Sequence, residues 1–480
     1  MTKASANVRM YRLNELGDCF LVTFAVGGKK SRMLIDCGSF RNSKDSANRL
    51  KEIVTGIESD LAGAPLDVVV GTHQHNDHLS GFVHCKDKFE KIKVKQVWLS
   101  WLDDPTDAGA RKIGKTYNNL VSTLHRARLA IGNKPLGARG DRAREVLEDV
   151  LGFYGNDSKS AAAKGPPVLP ADAVKILKEI GSEKPKYLKP GTVLDMPGLP
   201  PDSVRVYVLG PPRADDFLFD ITPKKGESYD KDLAAHSIAA SLAARNASAL
   251  KFLSAVENKG RALSADEVEY PFEKNVKRRG ADLRSPALKR TIREYHSDKR
   301  RTIDGDWLDQ AESLALYLDT YTNNSSLVLA IELVASGKVL LFAADAQTGN
   351  WLSWPSVKWD KSGVKFDDLM AKTVFYKVGH HASHNATLPQ IFEKLTHSDL
   401  VALIPVHKKD PNITKPNGWK MPATNLRKKL IERTSNRVLQ MDNVNPASCD
   451  PTKEPAKSSW KKAGIKPNIT PLFIELEFAE

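Results

Sequence analysis

The sequence predicts an α/β fold, and three features of its patterning predict it. Short β-branched apolar runs recur through residues 8–100, one amphipathic stretch lies among them, and helix-forming segments take over from residue 103. Val8 to Leu13, Cys19 to Phe24 and Ser31 to Ile35 read as strands. From Ser43 to Ile57 the residues Leu50, Ile53, Val54 and Ile57 return at helical spacing and share one side of a helix. Leu66-Asp67-Val68-Val69-Val70 is a buried strand, ended by Gly71-Thr72, and Val94 to Leu99 is another. Residues 103–202 then form a mostly helical insertion, with helices over Tyr117 to Ile131 and Arg142 to Phe153 and a Lys/Ala/Ser-rich linker from Asn156 to Pro166. Val204 to Leu209 returns to strand, and Gly210-Pro211-Pro212 ends it. A second helical insertion, 213–305, holds the Ala-rich, helix-prone Ala234 to Leu253 and then a basic stretch. Ile469 to Phe478 is a terminal strand. No fixed-period repeat is present, so residues 1–480 are expected to form one domain interrupted by the two insertions.

The chemistry concentrates in His73-Gln74-His75-Asn76-Asp77-His78, where three imidazoles and a carboxylate fall within six residues at the end of a buried strand. A helix is expected to begin near Asp77. Neutral imidazole and carboxylate are the usual ligands of zinc and related first-row ions. Crowding them onto one loop serves no packing purpose, because each would need its own hydrogen-bond partner if buried. The competing reading is a solvated polar loop.

The spacing His73-x-His75-x-Asp77-His78 resembles the HxHxDH signature of the metallo-β-lactamase superfamily of hydrolases. Further parts of that pattern follow in order. Met33-Leu34-Ile35-Asp36-Cys37-Gly38 is similar to the early strand with its Asp-x-Gly turn. Leu340-Leu341-Phe342-Ala343-Ala344-Asp345 is similar to the later strand that delivers a metal-bridging Asp, and Val374 to Ser383 to the strand and loop that deliver the last His. Within the superfamily, Gly17-Asp18-Cys19-Phe20, Asn324-Ser325-Ser326-Leu327-Val328-Leu329 and His380-His381-Ala382-Ser383 resemble the hydrolase domain of ComEC-type competence proteins. Ala382 stands where that group tends to have Gly, which allows backbone angles that Ala resists. The likeness covers pieces of 8–100, 203–212 and 320–445.

The resemblance implies a four-layer αββα sandwich and two divalent cations, zinc or alternatively manganese. It assigns His73, His75, Asp77, His78, Asp345 and His380 as metal ligands. His381 is the alternative to His380, Asp36 is a residue that orients a ligand His, and His407 ends a strand near the cleft with Lys408 beside it. Asp77 and His78 carry the catalytic role, with His384 as a candidate proton donor or, equally, a surface residue. Two such ions activate water and polarise the scissile bond, so no Ser or Cys nucleophile is needed. A middle His, common in the superfamily, is missing: Leu209-Gly210-Pro211-Pro212 offers none, His84 is too close to the first motif, and His236 lies in a predicted helix. The first site is then left with two His, Asp345 and water, or the centre holds a single tightly bound ion.

Composition bounds the rest. The net charge is +14, from 72 Lys and Arg against 58 Asp and Glu. Such a surface attracts polyanions, nucleic acid first among them, or serves solubility. The basic stretch containing Lys277, Arg278, Arg279, Arg290, Arg293, Arg300 and Arg301 is the candidate nucleic-acid contact. Cys19, Cys37, Cys85 and Cys449 are scattered without metal-type pairs, which fits a reducing compartment. Met1 to Asn7 lacks the apolar core of a signal peptide, and no segment is apolar enough to span a bilayer, so the expected location is cytoplasmic and no membrane is involved. The leading function is a metal-dependent phosphodiesterase or nuclease. The alternatives are a small-molecule hydrolase of a lactone, thioester or nucleotide ester, and a binding module with a relic metal site. A nuclease loose in cytoplasm needs restraint, so a regulatory protein partner is expected.

Overall fold

The computed structural model describes residues 3–131, 137–155, 169–218, 289, 293–294, 306–359, 363–416, 418–443 and 445–479. The chain divides into two units, one of Met1–Gly114, Gly152–Ile238 and Asp319–Glu480, the other of Lys115–Leu151 and Ala239–Leu318.

The first unit is built on two mixed sheets. Its strands are β1 (Ala4–Tyr11), β2 (Cys19–Val26), β3 (Lys29–Cys37), β4 (Leu66–Gly71), β5 (Val94–Ser100), β6 (Lys186–Leu188), β7 (Val193–Asp195), β8 (Val204–Gly210), β9 (Val328–Leu333), β10 (Lys338–Phe342), β11 (Thr373–Lys377), β12 (Val401–Ile404), β13 (Val438–Gln440), β14 (Asn468–Ile469) and β15 (Phe473–Ala479). One sheet runs β14-β15-β1-β2-β3-β4-β5-β6 and the other β13-β12-β11-β10-β9-β8-β7. Each sheet is antiparallel in one half and parallel in the other: β3, β4, β5 and β6 are parallel neighbours in the first, and β10, β11, β12 and β13 in the second. Among the described residues, the helices of nine or more residues are α1 (Lys44–Leu61), α2 (Asn76–His84), α3 (Ala108–Ile131), α4 (Gly137–Gly152), α5 (Pro170–Ile180), α6 (Asp306–Asn324) and α7 (Thr424–Arg433).

The inner faces of the sheets share one core, in which Phe20 meets Phe342 edge-on at 5.8 Å and Phe375 meets Phe478 at 5.8 Å. Every residue of β4 is buried, as expected of a parallel strand covered on both faces. Leu50, Ile53, Val54 and Ile57 of α1, with Ala173, Val174 and Leu177 of α5, belong to the core that covers the first sheet. On the outer face of the second sheet, Tyr376 packs edge-on against Trp351 and tilted against Phe392. The result is helix, sheet, sheet, helix, the four-layer α/β sandwich expected above.

α1 begins where Ser43, in extended geometry, accepts a hydrogen bond from the Ser46 amide, and ends on Ala62 in the left-handed region. The stretch 103–202 is less uniformly helical than its sequence suggests. After α5 it contributes β6 to the edge of the first sheet beside β5, and β7 beside β8. Three-residue strands are too short to show an alternating pattern. The linker 156–166, Ala234–Leu253 and His236 lie outside the described residues.

The second unit is helical where it is described. Leu120, Leu124, Ala143, Leu147, Val150 and Leu151 are buried, as are Ala311, Leu314, Ala315 and Leu318. Arg142 pairs with Glu312 at 3.1 Å, and Arg128 pairs with Glu148. No helix among the described residues is long and apolar enough to cross a membrane. All four cysteines are buried and free.

Candidate metal centre

The parallel halves of both sheets end their strands at one place, the usual position for a ligand crevice in an α/β fold. β3 ends at Asp36-Cys37, and β4 ends at the loop carrying His73 to His78. β10 leads to Asp345, β11 to Lys377 and then His380-His381, and β12 to Pro405. α2 starts at Asn76 with His75 as its cap, so Asp77 stands in the first turn, where the helix dipole favours a carboxylate. Gly38 lets the turn after β3 lie directly on this helix start: a Cβ there would sit 2.4 Å from the Asn76 carbonyl oxygen.

Asp77, His78, Asp345 and His381 converge, with one ligand-type atom of each within 4.8 Å of the others, and all four side chains are buried. His381 Nε2 lies 3.0 Å from Asp77 Oδ2 and 3.0 Å from Asp345 Oδ2, and His78 Nε2 lies 3.1 Å from Asp345 Oδ2. The far nitrogens of both rings are already committed. His78 Nδ1 donates to Asp36 Oδ2 at 2.7 Å, and His381 Nδ1 donates to the Pro405 carbonyl at 2.8 Å. Those partners only accept, so in a neutral ring each Nε2 presents a lone pair to carboxylate oxygens. Lone pairs facing lone pairs at 3 Å need a positive charge between them. Burial pulls both imidazoles toward neutrality, but Asp345 and its companion carboxylates outweigh it, holding His381 at about 10 and His78 well above its ordinary value. Without a cation these rings would carry an extra proton each; a divalent ion does the same electrostatic work. Asp77 Oδ1 and His78 Nε2 are also buried without a hydrogen-bond partner. The donor set therefore fits a divalent cation.

His73 and His75 lie beside this group. His73 Nδ1 donates to Thr72 Oγ1 (3.1 Å), which itself donates to Asp36 Oδ2 (2.7 Å), leaving His73 Nε2 facing His75 Nδ1 at 3.2 Å. That is the order of separation for two nitrogens bound to one ion at about 2 Å each. Burial first, then neighbouring imidazoles, keeps His73 well below its ordinary value and His75 at about 3, so both stay neutral, the form that binds metal. His75 Nε2 is 3.0 Å from the Tyr154 hydroxyl.

Of the His pair after β11, the structure brings His381 into the four-residue group, whereas the sequence pattern favoured His380. The reason lies in the backbone. His380, His381 and Ala382 all adopt positive φ, at 43°, 50° and 64°, and this left-handed turn aims the second ring at Asp77 and Asp345. His380 instead meets Gln347 Nε2 (3.0 Å) and Asn385 Oδ1 (3.2 Å) through Nδ1. His384 and His407 are partly buried and stand outside the donor groups found among the described residues. Lys408 uses its backbone amide to bond Asp442. Of the seven basic candidates for nucleic-acid contact, Arg293 is described and is exposed; Lys277, Arg278, Arg279, Arg290, Arg300 and Arg301 lie outside the described residues.

Two residues central to the electrostatics were given no role by the sequence. Lys377 is fully buried and bridges Asp18 Oδ2 (2.6 Å) and Asp345 Oδ1 (3.0 Å), also donating to the Ala344 carbonyl. Burial works against its charge, but the two carboxylates raise its pKa above the ordinary value. The available signal was a lysine in an otherwise apolar strand, since a buried lysine must be paired. Asp18 was visible only as part of a motif. The Asn324–Leu329 segment proves to be a fastener: Leu327 N bonds the Thr72 carbonyl (2.9 Å), Asp345 N reaches Ser326 Oγ (3.3 Å), and Asn350 Nδ2 bonds the Asn324 and Ser326 carbonyls.

The family model described as the metallo-beta-lactamase superfamily matches residues 15–100, the segment that carries Asp18, Asp36 and the His73–His78 loop. No curated protein matches the chain. The match, the α/β sandwich and the buried His/Asp cluster together point to a metal-dependent hydrolase.

Proposed function

We propose that this protein is a phosphodiesterase that cleaves nucleic acid with two divalent cations, zinc or manganese. The observation that carries the metal-dependent chemistry is the convergence of Asp77, His78, Asp345 and His381 with their lone pairs turned inward. His78, Asp77, His381 and Asp345 would hold one cation, and His73 and His75 would stand on the other. When bound, such ions supply an activated water and Lewis-acid polarisation of the scissile bond. The chain's own part is positioning. Asp36 and the Pro405 carbonyl fix two ring orientations through Nδ1, as carboxylates and carbonyls do behind metal-binding imidazoles. Lys377 offsets the charge of Asp18 and Asp345 without entering the lone-pair cluster.

The phosphodiester assignment is supported by the +14 net charge, which raises the local concentration of a polyanionic substrate, and by the motifs resembling ComEC-type hydrolase domains. The test is cleavage of single- and double-stranded DNA and RNA by the full chain with Mn²⁺ or Zn²⁺. Wild type should cleave at least one of them, and Asp77→Ala and His78→Ala should each lower the rate by about a hundredfold or more, the loss of several kcal/mol of metal-borne stabilisation. No cleavage by wild type, or equal cleavage by the variants, refutes it.

A further inference from the structure

The loop 405–423, between β12 and α7, borders the metal centre at both of its ends. The Pro405 carbonyl accepts from His381 Nδ1 at 2.8 Å, and the Ala423 amide donates to the Ala382 carbonyl at 2.8 Å, so the loop begins and ends on the turn that delivers His381. Its middle folds back on itself. The Trp419 amide donates to the Asn412 carbonyl at 2.7 Å, and a Cβ on Gly418 would meet the Asn412 and Ile413 carbonyl oxygens at 2.6 Å. This turn lays Trp419 on two buried aromatics. Its ring stacks on Phe153 at 5.4 Å and meets Phe40 edge-on at 5.2 Å. Phe153 in turn lies 4.8 Å from the His75 ring, and its carbonyl accepts the Asn76 amide of the metal loop at 2.8 Å. Aromatic rings therefore run from a metal-loop imidazole out to Trp419, which is partly exposed.

The charge on this loop is one-sided. Lys408, Lys409 and Lys420 are exposed, whereas the loop's one acid, Asp410, is buried and takes up the amides of Leu16 and Asn412 and the Arg41 guanidinium. An indole held by two buried rings has little freedom left to lose on binding. An aromatic face among lysines suits unpaired nucleic acid, because bases stack on the ring while the ammoniums follow the phosphates. A duplex offers its bases to such a ring only after unpairing and unstacking them.

We propose that the loop 405–423 binds single-stranded nucleic acid in preference to duplex, with a base stacked on Trp419 and the phosphates drawn to Lys408, Lys409 and Lys420. The inference rests on the nuclease reading above and adds the strand preference and the residues that set it.

Fluorescence anisotropy of the full chain with Mn²⁺ tests this. The probes are a labelled thymidylate strand with phosphorothioate links that slow cleavage, its blunt duplex, and an abasic oligomer of the same length and linkage. Wild type should bind the strand at least about tenfold more tightly than either of the others. Trp419→Ala should lose about tenfold for the strand and less than about twofold for the abasic oligomer, with Mn²⁺ content unchanged, and Trp419→Phe should recover most of the loss. Lys408→Gln, Lys409→Gln and Lys420→Gln combined should weaken strand and abasic oligomer alike and lower the salt slope by about 2. Unchanged strand binding in Trp419→Ala overturns this inference alone. So does an equal loss for strand and abasic oligomer, since the ring would then only shape the loop, and so does tightest binding to the duplex. Strand binding through Trp419 by a wild type that cleaves no nucleic acid upholds the binding surface and refutes the nuclease. A wild type that neither binds nor cleaves DNA or RNA removes both.

Discussion

Lys377 shows how a single side chain sets the charge balance of this centre. Its ammonium bridges Asp18 and Asp345, and all three groups are buried. Lys377→Met leaves two carboxylates without it, and breaking a buried pair from one side costs about 3–5 kcal/mol. Urea unfolding of the chelator-treated variant should show a loss of that size, with part of it recovered when cations are present. Ala382 tests the backbone. With φ at 64° it holds a conformation that costs an L-residue about 1–2 kcal/mol, and glycine returns somewhat less than that through its freer unfolded chain. Ala382→Gly should therefore raise stability by up to about 1 kcal/mol, seen as a small rise in melting temperature; a fall would mean that the strain is not there. Glu15 carries the pH prediction. Burial raises its carboxyl above the ordinary 4.5, against the opposing pull of Ser39 and Ser46. A raised carboxyl gives stability that is present below the ordinary value and lost as pH climbs through the folded one. The melting temperature of Glu15→Gln relative to wild type should accordingly increase as pH rises above the ordinary 4.5, and a flat difference would contradict the shift.

At the scale of elements, the sandwich depends on close approach at the turn after β3. A methyl at Gly38 would overlap the Asn76 carbonyl and the His78 backbone, so Gly38→Ala must displace the start of α2 together with Asp77 and His78. The expected outcome is a loss of about 1–3 kcal/mol from overpacking and weaker Zn²⁺ or Mn²⁺ uptake, measured by denaturant titration and metal content. The strands and the helix over residues 44–61 were legible in the sequence because apolar period and β-branching extend over enough residues to be seen. β6 and β7 were not, since three residues carry no period. The HxHxDH loop was legible because ligand chemistry and a strand end coincide there. His381 could not be distinguished from His380, because the turn that separates them is built from left-handed residues that have no sequence mark other than the Ala in a Gly place.

For the first unit, two sheets that each switch from antiparallel to parallel bring the ends of β3, β4, β10, β11 and β12 to one crevice, and the buried His/Asp cluster occupies it. The central claim is that this cluster binds metal through His381 and not through its neighbour. Zn²⁺ and Mn²⁺ affinities of the full chain should fall at least about tenfold in His381→Ala and change by less than about threefold in His380→Ala, with both variants folded by circular dichroism. Loss of metal in His380→Ala with full retention in His381→Ala would contradict the account directly.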